Sequence, residues 1–298
     1  MISGKRVIAA MLTALMAVTF TANTAVSVYA TGVTATENAQ TIDAQSTDAQ
    51  ALTPEEQKAQ ELQQVYDMPV ESNGYKDWPQ GPGTYGEAGI VMEVGTGAIL
   101  YAKNIDAHEY PASITKVLTA LVALENGQLT DNVTFSHDSV AFLQRGDSSV
   151  GLKEGNVITL DQAMHAMLLA SANEAAYAIG ESVGVNAGHD YNWFIEQMNS
   201  RCKELGGENS NFANTNGLHD PNHYTCARDM ALIGRELFKH PEFFQIVQTL
   251  NYTIPASETT EEHVFHQKHK MLQPSNFQLL IHNTIGGKTV IHQIRCQR

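Results

Sequence analysis

Cysteine is scarce in this sequence: the 298 residues contain only three, Cys202, Cys226 and Cys296. Three cysteines without a short repeating spacing exclude a disulfide-rich scaffold and a cysteine-based zinc site. A single bridge between Cys202 and Cys226 is possible in an exported protein. We interpret them instead as buried free thiols.

Positive charge is scarce too, with 18 Lys and Arg side chains against 32 Asp and Glu, a formal net charge of −14. Such a chain gains little by neutralising phosphates, so nucleic acid is not expected as a partner. An anionic membrane surface would repel it for the same reason. The apolar fraction of 43% is ordinary for a globular protein with a real core.

Long apolar runs are also missing, and the N-terminal run at residues 7–20 is short for a membrane span. Lys5 and Arg6 precede this run, and Val28-Tyr29-Ala30 resembles a signal-peptidase site. This order is typical of a secretory signal peptide, which we assign to residues 1–30, and it predicts export. An uncleaved N-terminal anchor is the alternative.

Aromatic residues are nearly absent from residues 31–66, which are rich in Thr, Ala, Gln, Asp and Glu. A segment of this composition buries too little apolar surface to offset its ordering entropy, so we interpret it as a solvated linker. The remaining domain, residues 67–298, is expected to become compact near Trp78.

Periodicity within this domain predicts an α+β fold. Apolar, β-prone runs at residues 89–94 and 98–102 flank a Gly-containing turn and predict a β-hairpin. Helical spacing begins after Ser113 and ends at Gly127, and Thr159 with Gln162 forms a capping box. Further helices are predicted near residues 174–181, 191–205 and 228–238, and a strand at 251–254. Strands segregated from helices favour a largely antiparallel sheet.

Ser113 and Lys116 are the first candidate site residues. Their spacing places both on one face of the first helical turn. A serine hydroxyl is a weak nucleophile that needs a nearby base, and a lysine serves only if its pKa falls well below about 10.4. The helix N-terminus adds a positive potential and a free backbone N–H that suits an oxyanion. The alternative is an N-capping serine with a solvated lysine.

Two further elements follow in the chain. Ser171 and Asn173 lie on a turn between two helical runs and can present a hydroxyl and an amide, although such residues are common in ordinary turns. Lys288 and Thr289 follow Gly286-Gly287 and can bind a substrate carboxylate from a strand edge. Neither element is specific by itself.

In this order, the three elements resemble the S-x-x-K, S-x-N and K-T-G motifs of penicillin-binding proteins and class A β-lactamases. The hairpin and residues 111–116, 169–176 and 216–225 are similar to the low-molecular-weight D-alanyl-D-alanine carboxypeptidases, serine peptidase family S11. This resemblance covers roughly residues 75 to 289. The match to class A β-lactamases is thinner, because they carry Ser-Asp-Asn where this chain has Ala172, and their deacylating glutamate loop has no counterpart here.

The resemblance implies a β-lactamase/transpeptidase-like fold, an antiparallel sheet flanked by a helical cluster. It implies that Ser113 forms an acyl-enzyme with a peptidoglycan stem peptide ending in D-Ala-D-Ala, and that Lys116 takes the serine proton. Ser171 would relay protons, while Asn173, Lys288 and Thr289 would hold the substrate. β-Lactam antibiotics would act as inhibitors. No cofactor or metal is expected.

The tail departs from the family pattern, since Val290 stands where the K-T-G motif has glycine. The C-terminal strands and membrane anchor of the family are missing, so we expect release from the membrane and little or no turnover. Loss of one G from codons for Gly-Tyr-Thr-Ser-Asp reproduces residues 290–294, and a frameshift is our hypothesis. The alternative function is therefore a truncated, non-catalytic remnant that at most binds peptidoglycan or β-lactams.

The histidines His263, His266 and His269 recur every third residue in a polar stretch. A metal site would need a closing set of ligands, which the surrounding sequence does not supply. We interpret this stretch as a solvated loop.

Overall fold

The computed structural model describes residues 52–269 and residue 272, together with the backbone of a strand at Leu15–Thr19. The α-helices of this part are α1 (Pro54–Asp67), α2 (Thr115–Asn126), α3 (His137–Ala141), α4 (Leu160–Leu169), α5 (Asn173–Asn186), α6 (Tyr191–Glu204), α7 (Ala227–Leu237) and α8 (Pro241–Gln248). Short 3-10 turns occupy Glu71–Gly74 and Ala112–Ile114.

The strands form three small antiparallel sheets. They are β1 (Leu15–Thr19), β2 (Gly89–Glu93) and β3 (Ile99–Lys103) in one sheet, β4 (Asn132–Thr134) with β5 (Val157–Thr159), and β6 (Asn251–Ile254) with β7 (His263–His266). Strand β2 is central in the first sheet, where Gly89 pairs with Lys103 on one side and Thr19 on the other. The predicted hairpin and the predicted α+β class are both confirmed.

Helix α2 is the centre of the helical cluster and packs against α4, α5, α6 and α7. Its residues are buried without interruption from Thr115 to Ala123. A helix that is apolar on nearly every face is stable only when surrounded, and Leu118 and Leu121 are fully buried. The first turn of this enclosed helix carries Lys116, so the core itself places that side chain away from water.

Helix α4 begins at the capping box expected from the sequence. Thr159 Oγ1 accepts a hydrogen bond from Gln162 N at 3.2 Å, and Gln162 Oε1 accepts one from Thr159 N at 2.9 Å. The box satisfies two N–H groups that a helix start leaves unpaired. Helix α4 ends two residues before Ser171, and helix α5 starts two residues after it.

The linker interpretation is wrong for the end of residues 31–66, because α1 begins at Pro54; residues 31–51 lie outside the described part. Thr53 and Glu56 form a capping box at the start of α1. The buried Lys103 ammonium donates to Val65 O at 2.5 Å and ties the helix end to the sheet. None of the side chains of α1 is buried, so no apolar pattern in the sequence signalled this helix.

Other parts of the fold left no clear pattern in the sequence. Helix α8 and the two-stranded sheet β4–β5 were not predicted. The solvated-loop interpretation of the histidine stretch is wrong in part, because His263 and His266 begin and end strand β7.

Cys202 and Cys226 are buried free thiols, as predicted.

Truncating Leu121 to Ala should lower the free energy of unfolding by about 2–5 kcal/mol, because the side chain is 0% exposed in α2 and leaves a cavity. Leu52→Ala is the matched control, since Leu52 is 44% exposed and its truncation should change stability by less than about 0.5 kcal/mol. Chemical denaturation of both variants measures the difference. Equal effects would contradict the central position of α2.

Candidate active site

Lys116 and Ser113 meet at the entrance to α2. Ser113 lies in the 3-10 turn Ala112–Ile114, and Lys116 lies in the first turn of the helix. The Lys116 Nζ donates to Ser113 Oγ at 3.0 Å, to Asn173 Oδ1 at 2.8 Å and to the Asn216 carbonyl at 2.6 Å. The three acceptors come from three separate segments of the chain, and one amine joins them.

Lys116 is 0% exposed, and none of the oxygens that its Nζ contacts belongs to a carboxylate. Burial lowers the pKa of Lys116 to about 7. The negative charges of Glu174 and Asp147 oppose this shift, and the positive charge of Lys268 adds to it. Near neutral pH a large fraction of the side chain is therefore a neutral amine. In that form its two N–H groups donate to the Asn173 and Asn216 oxygens, and its lone pair accepts the Ser113 hydroxyl proton.

Ser171 and Asn173 occupy the turn between α4 and α5. Asn173 is buried and accepts from Lys116, and its backbone N–H donates to Ser148 O at 2.8 Å. Ser171 has a left-handed backbone with φ of 65°, and its hydroxyl has no hydrogen-bond partner within the described residues. Lys268 Nζ donates to Ala170 O at 2.6 Å and holds the start of this turn. The structure thus brings Asn173 into contact with Lys116 and places Ser171 two residues away.

Glu174 is a site residue that the sequence reasoning missed. Its carboxylate is fully buried beside Asn173, and Oε1 accepts from Ser149 Oγ at 2.7 Å, Val150 N at 2.7 Å and Gly151 N at 3.2 Å. These bonds fasten a neighbouring loop to the start of α5. The signal in the sequence was an acidic residue directly after a candidate Ser-x-Asn turn. Its role became visible only in the fold, where it binds the loop at residues 149–151.

The main chain before the nucleophile candidate is held in an unusual conformation. Ala112 has a φ of 47°, in the left-handed region that costs a non-glycine residue about 1 kcal/mol or more. Gly217 packs against it so closely that a Cβ at Gly217 would collide with the Ala112 carbonyl. Only glycine fits there, which explains the Asn216-Gly217 pair and places the Asn216 carbonyl over Lys116.

A buried histidine supports the same segment. His223 Nδ1 accepts from Ala213 N–H at 2.9 Å, and its Nε2 lies 2.8 Å from Thr115 Oγ1, which in turn donates to Ala112 O at 2.8 Å. Burial lowers the pKa of His223 to about 4, so the ring is neutral at neutral pH. Neither Thr115 nor His223 was singled out as a site residue in the sequence.

Lys288 and Thr289, the third pair of candidate residues, lie outside the described residues. Within the described ranges, no group of three or more His, Cys, Asp or Glu side chains is arranged to hold a metal ion. No helix of the same ranges combines the length and the apolar character needed to cross a bilayer.

The chain is similar to known proteins in sequence and in structure. The chain is 34% identical over 170 residues to D-alanyl-D-alanine carboxypeptidase DacA of Haemophilus influenzae, which covers 55% of this chain and 42% of the relative. It is 30% identical over 225 residues to DacB2 of Mycobacterium tuberculosis, covering 75% of this chain and 71% of the relative. The crystal structure of the Streptomyces K15 DD-transpeptidase matches with a TM-score of 0.56 at 27% identity, over 61% of this chain and 73% of that one.

The chain spans 42% and 41% of the length of the first two curated relatives. The sequence model of D-alanyl-D-alanine carboxypeptidases, peptidase family S11, matches residues 79–288 of the 298. That segment contains Lys116 and the three residues that its amine contacts, Ser113, Asn173 and Asn216. The chain therefore belongs to the D-alanyl-D-alanine carboxypeptidase family.

Proposed function

We propose that this chain is a serine-type D-alanyl-D-alanine carboxypeptidase that is acylated on Ser113. The observation that carries the proposal is the buried Lys116 amine, which contacts both Ser113 Oγ and Asn173 Oδ1. An amine with a pKa of about 7, within 3.0 Å of a serine hydroxyl, is the pairing of base and nucleophile that acyl transfer requires.

In the acylation step, the neutral Lys116 amine takes the proton of Ser113 Oγ as that oxygen attacks the carbonyl carbon of the penultimate D-alanine. The carbonyl becomes an oxyanion next to the Ser113 backbone N–H, in the 3-10 turn that precedes α2. Collapse of the tetrahedral intermediate breaks the amide bond, and the departing amine of the terminal D-alanine takes up the proton that Lys116 received. Ser171, on the turn before Asn173, is the proposed relay for that proton.

Deacylation reverses these roles. Water attacks the ester carbonyl on Ser113 and gives up a proton to Lys116. The ester bond then breaks, Ser113 Oγ takes that proton from Lys116, and the shortened stem peptide leaves. Asn173 positions the peptide by its amide, and Lys288 with Thr289 is proposed to hold the terminal carboxylate by charge and hydroxyl. A β-lactam amide enters the same acylation step, so we propose that penicillins label the same serine.

We also propose that the chain is exported. The proposal rests on Lys5, Arg6, the apolar run at residues 7–20 and the small-residue site ending at Ala30. The carboxypeptidases compared above are named for D-alanyl-D-alanine, and the stem peptide proposed as substrate carries that linkage in the cell wall. A location outside the cytoplasmic membrane would bring the chain to it.

Labelling by a fluorescent penicillin tests the nucleophile. We expect the wild-type chain to take up label at Ser113, located by mass spectrometry of the tryptic peptide, and Ser113→Ala to take up none because the attacking oxygen is gone. Ser200→Ala is the matched control, since Ser200 is an exposed serine on α6, and it should be labelled normally. Label that survives in Ser113→Ala would end the assignment.

The pH dependence of acylation tests Lys116. The base is active only when deprotonated, so the acylation rate should rise with pH through about 7 and level off above it. Glu174→Gln keeps the oxygen acceptor for the loop but removes a negative charge that raises the pKa of Lys116. The rise should therefore move to lower pH in this variant.

Glu196→Gln is the control for that experiment, because Glu196 is exposed on α6 and its pH profile should match wild type. Lys116→Ala should slow acylation by about 10²–10⁴ at neutral pH. A profile that does not move in Glu174→Gln would show that Lys116 is not the group being titrated.

N-terminal sequencing of the secreted chain tests the export proposal. Expression in a bacterial host should give a mature N-terminus near Thr31, since the cleavage site ends at Ala30. This cleavage removes β1 and leaves β2 paired with β3. Replacing Lys5 and Arg6 with Glu should block export and leave Met1 in place. An intact N-terminus on a membrane-bound wild-type chain would contradict cleavage.

A further inference from the structure

The peptide group that joins Ala112 to Ser113 is held firmly on its carbonyl side. The Ala112 carbonyl accepts hydrogen bonds from both the backbone N–H and the side-chain hydroxyl of Thr115. On the other side of the same peptide group, the Ser113 N–H donates to no acceptor within the described residues. One end of this peptide plane is therefore anchored, and the other end has a free donor beside the Ser113 hydroxyl.

The direction of the Thr115 hydroxyl is set by His223. Ala213 N–H can only donate, so His223 Nδ1 must accept and the ring proton resides on Nε2. That Nε2–H donates to Thr115 Oγ1, which leaves the single hydroxyl proton of Thr115 for the Ala112 carbonyl. The three hydrogen bonds form one chain with a single polarity, and both His223 and Thr115 are fully or nearly fully buried.

A trans peptide group is planar, with its C=O and N–H directed to opposite sides. Fixing the Ala112 carbonyl therefore fixes the direction of the Ser113 N–H. The left-handed φ of Ala112 is a conformation that an alanine adopts only when its surroundings enforce it, and the hydrogen-bonded Thr115 together with Gly217 supplies that enforcement. Without the Thr115 hydroxyl, the Ala112 carbonyl loses one of these two hydrogen bonds, and the plane can rotate towards an ordinary backbone geometry that turns the N–H away.

We propose that Thr115 and His223 are positioning residues that aim the Ser113 N–H at the oxyanion formed during acylation. The inference rests on the proposed function, because it assigns a task to two residues only if Ser113 is the acylated nucleophile. Neither side chain touches the reacting atoms. Both act through the Ala112 carbonyl, on the side of the peptide group opposite the oxyanion.

The test uses two pairs of matched variants. Thr115→Val removes the hydroxyl and keeps the branched shape, whereas Thr115→Ser keeps the hydroxyl. His223→Asn keeps an oxygen acceptor for Ala213 N–H and removes the donor to Thr115, and it is made in both the wild-type and the Thr115→Val backgrounds. The first readout is the acylation rate constant with a fluorescent penicillin, measured separately from the dissociation constant of the non-covalent complex.

Thr115→Val should acylate about 10–100-fold more slowly, below the 10²–10³ that losing an oxyanion donor outright typically costs, with an unchanged dissociation constant. Thr115→Ser should stay within about threefold of wild type, because it keeps the hydroxyl that donates to the Ala112 carbonyl. The pH at which acylation reaches half its maximum should not move, because the surroundings of Lys116 are unaltered. In the Thr115→Val background, His223→Asn should have little further effect, because both residues act through one carbonyl.

A peptide boronic acid with a D-alanine-like side chain provides the second readout. Ser113 Oγ forms a bond to boron, its proton passes to Lys116, and a boron-bound hydroxyl takes the place of the oxyanion. Its affinity should fall in Thr115→Val by the same factor as the acylation rate constant, and thermal unfolding of the variants controls for loss of structure.

The outcomes separate the two proposals. Wild-type acylation at Ser113 together with an unimpaired Thr115→Val would overturn the positioning role and leave the proposed function intact. The positioning role is also overturned if Thr115→Ser is as slow as Thr115→Val, because the hydroxyl would then not matter. Wild-type protein that takes up no label at Ser113 would overturn both.

Discussion

The arrangement of the site depends on one constraint, a lysine amine enclosed in the protein interior without contact to a carboxylate. Removing an ammonium group from water is costly, and the cost is reduced when the group loses its proton. The polar atoms around Lys116 Nζ are neutral oxygens, so they satisfy its N–H groups without restoring its charge. The same contacts that solve the burial problem place the amine against Ser113 Oγ.

Enclosing that amine requires several segments to approach one point. Helix α2 carries Lys116, the start of α5 carries Asn173, and the Asn216-Gly217 turn brings a main-chain carbonyl. Close approach of the turn is possible only because Gly217 has no Cβ to meet Ala112. Nearby charges of both signs then shift the pKa of the amine, negative ones upwards and a positive one downwards. The packing that buries Lys116 therefore also determines its protonation.

The strained main chain lies where the chemistry is proposed to occur. Among the described residues other than glycine, positive φ angles occur at four positions; two of them are Ala112, directly before the first candidate motif, and Ser171, within the second. Each is stabilised by its neighbours, Ala112 by Thr115 and Gly217, and the Ser171 turn by Lys268. Such strain persists only where surrounding contacts outweigh it, so the two turns indicate that the site is held rigidly by its neighbours.

Local sequence determined the elements whose signals are local. Apolar, β-prone runs around a glycine turn predicted the β2–β3 hairpin, helical spacing predicted α2, and Thr159 with Gln162 predicted the start of α4, because each rests on contacts within a few residues. The spacing of Ser113 and Lys116 likewise follows from one helical turn. Helix α1 escaped prediction because none of its side chains is buried, and its tie to the sheet comes from Lys103, far along the chain.

Tertiary structure alone decided the protonation of Lys116 and which residues surround its amine. No sequence pattern shows that the Asn216 carbonyl, a hundred residues away, accepts from its amine, or that Glu174 fastens a loop beside it. The link from His223 through Thr115 to the Ala112 carbonyl spans a similar separation. Hydrogen bonding and desolvation depend on distances in space, and only the packed fold sets distances between residues so far apart in the chain.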